Sequence, residues 1–137
     1  MDIVVCIKRV PATDTAIKIA ADGKSIDTNG VTFEMNAYDD FALEQARLLK
    51  EQLGEANVTS ITIGPKEAQK EMRGTLARGA DKAVLLTTDQ WVYDGASTAT
   101  ALAAWIKANP AQIVLCGKQA TDADNNQMAA NLAARLG

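Results

Sequence analysis

The residues best suited to hold a ligand lie near the end of the chain, in Gly117-Lys118-Gln119-Ala120-Thr121-Asp122-Ala123-Asp124-Asn125-Asn126-Gln127. They follow the apolar run Ile113 to Cys116, which reads as a strand, and precede a helical pattern. A helix opening near Asp124 turns free N–H groups and the positive end of its dipole toward that strand end. Such a turn suits an anion such as phosphate. Asn126 and Gln127 add amide donors, and Gly117 lets backbone approach a ligand closely. The same residues also make an ordinary capped helix with a solvated first turn, so the residues alone leave both readings open. Neither standard phosphate loop is present: no GxGxxG follows the first strand, and GxxxxGKS/T does not occur.

Other groups have weaker chemistry. Lys8 and Arg9 leave the first strand with no evident partner, and either hold a phosphate or partner carboxylate or are simply solvated. Asn36 precedes a long helix as its N-cap, with Asp39 three residues on. Asp14, Asp22 and Asp27 look like turn and solubility residues. Trp91 and Tyr93 precede the third helix, as packing at its entrance or as a ring stack. Cys6 and Cys116 sit inside the apolar runs IVVCI and IVLCG and read as buried free thiols. The chain has no histidine. That removes Ser-His-Asp and Cys-His catalysis, and zinc sites that need His.

These groups must be positioned by strands and helices. Four β-branched runs, Ile3 to Ile7, Val58 to Ile63, Ala83 to Leu86 and Ile113 to Cys116, are nearly continuous in hydrophobicity. Strands of a parallel sheet, buried on both faces, look like that. The helical stripes between them are Ala42, Ala46, Leu49 and Leu53; then Ala68, Met72 and Leu76, stopping at Gly79; then Ala96, Ala99, Ala103 and Ile106. A fourth helix, from about Asp124, shows Ala129, Leu132, Ala133 and Leu136. Alternation of strands and helices predicts an α/β doubly wound, mostly parallel, Rossmann-like three-layer sheet. Residues 9–35 are the exception. Asp22-Gly23 and Asn29-Gly30 mark turns there, and Ile17 to Ile19 with Val31 to Phe33 predict a short hairpin excursion after the first strand. Ligands in such a sheet bind beyond the carboxyl ends of the strands. That draws attention to Cys6, to Ile63-Gly64-Pro65 and to the segment after Cys116.

The chain has 137 residues, 47% of them hydrophobic, and a formal net charge of −3. This is one soluble globular domain, residues 1–137, with no basic face for nucleic acid and no run long enough to insert in a membrane. The N-terminus is apolar first and basic afterwards, the reverse of a signal peptide, which predicts a cytoplasmic location. The pattern stops where a fifth strand should begin, which predicts a domain truncated at its C-terminal end.

Four blocks carry a family resemblance. VVCIKRVP at the start, MNAYDDFALEQARLLKE, IGP followed by LARGADKAVLL, and VLCGKQATDADNNQMAANLAARLG occur in that order and cover nearly the whole chain. Together they resemble the N-terminal nucleotide-binding portion of the beta (small) subunit of electron-transferring flavoproteins, with its adenine nucleotide alpha hydrolase-like fold. The resemblance implies an electron carrier and not an enzyme. It implies a heterodimer with an alpha subunit that holds FAD and exchanges electrons with dehydrogenases and an acceptor such as a quinone-linked oxidoreductase. It implies AMP in this subunit, or the ADP part of a second FAD. Carried over by position, the nucleotide contacts are Cys6, Asn36, Ile63, Gly64, Gly117, Asp122, Asn126, Gln127 and Met128. Met128 departs from the Thr expected in AMP-binding members, which leaves its backbone N–H, and Ala37 stands where Pro is common. A stand-alone adenine-nucleotide module of the universal-stress type, without redox activity, is the alternative. An enzyme acting on adenylates ranks last, for want of an acid-base or phosphate-activating apparatus.

Overall fold

The computed structural model describes residues 1–90 and 94–137; Trp91 and Tyr93 lie outside the described residues. The central strand β1 (Asp2–Cys6) is flanked by β4 (Asn57–Gly64) and β6 (Ile113–Cys116), and β5 (Lys82–Thr87) pairs with β4. The order is β5-β4-β1-β6, with every pairing parallel. Because side chains alternate along a strand, β1 feeds two cores. Ile3, Val5 and Ile7 pack with Ala42, Leu43 and Ala46 of α1 (Ala37–Leu53) and Met72 of α2 (Gln69–Ala77). Val4 and Cys6 pack on the opposite face with Ala99, Leu102 and Ile106 of α3 (Gly95–Ala108) and Leu132 of α4 (Met128–Leu136). This is the expected three-layer α/β arrangement. Among the described residues no helix is long and apolar enough to cross a membrane.

The chain steps outward from β1 to β4 to β5, then returns to β6 on the other side of β1. The point where the order reverses therefore lies between β1 and β6. There the connections leave in opposite directions and a crevice opens.

Several stripes shift from expectation. Leu53 is 46% exposed and Leu76 44% exposed, whereas Leu43 and Thr75 are fully buried. Thr75 is inside because its hydroxyl meets that of Ser60 at 2.6 Å and donates to the Met72 carbonyl. A threonine with a buried partner thus displaces a leucine from the inward stripe. Ala96 and Ala133 face outward, and Leu102 completes the stripe of α3. The excursion is paired differently too. β2 (Arg9–Pro11) runs antiparallel to β3 (Phe33–Met35), in register Arg9 with Met35 and Pro11 with Phe33. Ile19 makes only an isolated bridge, to Ile26. The turns at Gly23 and Gly30 do adopt positive φ, and Asp22 accepts from the N–H groups of Lys24 and Ser25, as its turn role requires.

Candidate functional site

A cleft opens at the β1–β6 crevice. The β1 end contributes Cys6, Ile7 and Lys8, the β4 end Thr62 and Ile63, and the start of α1 contributes Asn36 and Asp39. The segment after β6 adds Gly117 to Ala120 and Asn125 to Ala129. Asp94, Gly95, Thr98 and Leu102, at and near the start of α3, close the remaining side. Of the residues singled out from sequence, Cys6, Asn36, Ile63, Gly117, Asn126, Gln127 and Met128 line this cleft. Gly64 and Asp122 do not. Gly64 ends β4 against Ala68, and Asp122 sits at the rim in an ion pair with Lys8 Nζ at 2.7 Å.

The last helix begins later than its sequence suggests. α4 starts at Met128, not near Asp124. Asp124 and Asn126 have φ of 51° and 50°, in the left-handed region that Asp and Asn tolerate and a right-handed helix cannot include. The segment makes its own turns instead. The Asp124 N–H donates to the Ala120 carbonyl, and the Gln119 amide hydrogen-bonds the Asp124 carboxylate. The anion-binding potential therefore moves to α4 itself. Its first N–H groups have no intrahelical acceptor, and no side chain caps them. Met128 and Ala129 line the cleft beside the start of α3. There, a Cβ on Gly95 would lie 3.1 Å from the Met128 nitrogen.

Asn36 and Asp39 do not form the expected cap. The Asn36 carbonyl accepts the first helical N–H groups, from Asp39 and Asp40. Its side chain instead crosses to the segment after β6, donating to the Gln119 carbonyl at 2.9 Å and accepting from the Thr121 N–H at 3.1 Å. The Asp39 carboxylate accepts from the Lys8 N–H at 2.7 Å and lies directly against Gly117. Burial pushes its pKa up to about 6, against the Lys8 N–H, the Asn36 amide, the Gly117 N–H and the Lys8 charge, which pull it down. Gly117 is required here for a reason other than ligand approach. A Cβ would lie 2.7 Å from the Tyr38 carbonyl carbon and 2.8 Å from the Asp39 nitrogen, so the close approach is to α1.

The basic residues are partnered as well. Lys8 pairs with Asp122. The Arg9 guanidinium donates to Glu71 of α2 at 3.1 Å and lies over the Phe33 ring, 3.6 Å from its centroid. Cys6 and Cys116 are free thiols on adjacent strands in direct register. The hydrogen bond between them, together with burial, raises the Cys6 pKa, and the same bond lowers that of Cys116. Sequence reasoning missed Asp39, Thr62 and the α3 side of the cleft. The spacing of Asp94 three residues before Ser97 was the available signal, since Asp94 caps α3 through the Ser97 N–H at 2.6 Å.

A family model described as the electron transfer flavoprotein domain matches residues 24–137. The chain belongs to this family. An electron transfer flavoprotein subunit beta from Clostridium acetobutylicum is 41% identical across all of this chain and 52% of its own length. A Protein FixA from Azorhizobium caulinodans is 41% identical across all of the chain and 50% of its own length. An electron transfer flavoprotein subunit beta from Bacillus subtilis is 35% identical across 99% of the chain and 52% of its own length. The chain thus spans about half the length of these relatives.

Proposed function

We propose that this chain is the nucleotide-binding portion of a beta subunit in an electron carrier. It holds AMP, or the ADP part of a second FAD, in the cleft between the ends of β1 and β6. An alpha subunit carrying FAD completes a heterodimer that takes electrons from dehydrogenases and passes them to an acceptor such as a quinone-linked oxidoreductase, in the cytoplasm. The redox chemistry is the flavin's. The polypeptide supplies binding, orientation and electrostatics.

The observation that carries the nucleotide reading is the uncapped start of α4 at the edge of that cleft. A phosphate there receives the N–H groups of Met128 and Ala129 and the favourable end of the helix dipole. Asn126 and Gln127 stand beside it as amide donors. Cys6, Ile63 and Leu102 offer an apolar wall for a base. Asn36 acts by holding the 119–121 backbone in place, because both ends of its amide are engaged there. Asp122 acts through Lys8, and the family match favours the carrier over a stand-alone module. The test is to denature the full-length assembled protein and identify the released nucleotide by mass spectrometry. AMP or FAD in amounts matching the beta subunit is expected, and recovery of neither would overturn the reading.

A further inference from the structure

Asp39 stands where the two walls of the cleft meet. Its carboxylate is buried, accepts the Lys8 N–H just past β1, and packs directly against Gly117, just past β6. At the switch point these segments have left the sheet ladder and need another tie. Hydrogen bonds from backbone N–H groups to a carboxylate are about twice as strong as neutral ones. Asn36, on the same turn, fixes Gln119 and Thr121, and the Lys8–Asp122 pair closes the rim.

We propose that Asp39 is a positioning residue whose charge clasps the β1 and β6 segments into the shape that retains the nucleotide, and that protonation loosens the clasp. The proposal rests on the nucleotide reading above. The titratable and charged groups around Asp39 are Lys8 and Cys6 from β1 and its extension, Cys116 from β6, and Asp40 on its own helix. Asp40 is paired outward with Arg78. Lys8 favours the charged carboxylate, burial opposes it more strongly, and the balance sets the pKa at about 6. A carboxyl proton has to share the group with the Lys8 N–H donor in the space left beside Gly117, so protonation and clasping compete.

The experiment uses the full-length subunit assembled with its partner and stripped of nucleotide, as wild type and Asp39→Asn. AMP affinity is measured by calorimetry, and hydrogen exchange of residues 117–121 is compared between the two proteins at equal pH. At about pH 7.5 the variant should bind AMP about tenfold more weakly, the loss expected for one charged hydrogen bond, and exchange faster in that segment. At about pH 5, with Asp39 protonated, the two proteins should behave alike. Equal affinity and equal exchange at the higher pH overturn the proposal. Altered exchange with no AMP bound by either protein overturns the nucleotide reading, and with it the role assigned to Asp39. Adenosine, which has no titrating phosphate, provides a measurement on wild type alone. Its affinity should fall toward pH 5, and a flat profile overturns the clasp even if the variant fails to fold.

Discussion

Asn36 occupies the position of a helix cap, yet its amide reaches residues 83 and 85 positions away. The residue type and the place were readable from sequence, but the destination was not. Which long-range backbone comes within reach depends on the strand order, and no local pattern encodes that. Asp39 is the sharper case. Its folded pKa of about 6, against an ordinary 3.8, corresponds to about 3 kcal/mol. The sign follows from proton binding: the native state holds this proton more tightly than the unfolded chain. The stabilisation is therefore complete below about pH 4 and disappears as pH rises through about 6. Urea midpoints of wild type should fall relative to those of Asp39→Asn between these limits. A constant difference between the two proteins would show that Asp39 is not protonated in this window.

At the scale of elements, the four parallel strands were legible to within a residue or two at each end. Their hydrophobicity is continuous because both faces are covered. Helix faces were less legible. Leu53 and Leu76 lie outward near helix ends, and the hydroxyl pair of Ser60 and Thr75 changes which residue points in. The start of α4 was misplaced by four residues because left-handed Asp124 and Asn126 look, in sequence, like a good first turn. The contact of α1 with the end of β6 depends on Gly117, whose position was legible and whose reason was not. Gly117→Ala drives a methyl group into the Tyr38–Asp39 backbone, a fault of the overpacking kind that costs about 1–3 kcal/mol. Chemical denaturation should show that loss. An unchanged midpoint would mean that α1 yields without strain.

For the whole molecule, the two-sided sheet ties the cleft to both cores. α1 packs on one face and α3 and α4 on the other, and all three reach the same crevice. The excursion between β2 and β3 belongs to neither core. It hangs from the short antiparallel pair and from Arg9, which is held by Glu71 and Phe33. Its far end exposes Ile17 and Ile19. Exposed tips of this kind are where proteases cut first. Brief trypsin treatment should cleave after Lys18 or Lys24, and the two pieces should elute as one species under native conditions and part only in denaturant. The chain could then be nicked in that flap without its sheet coming apart.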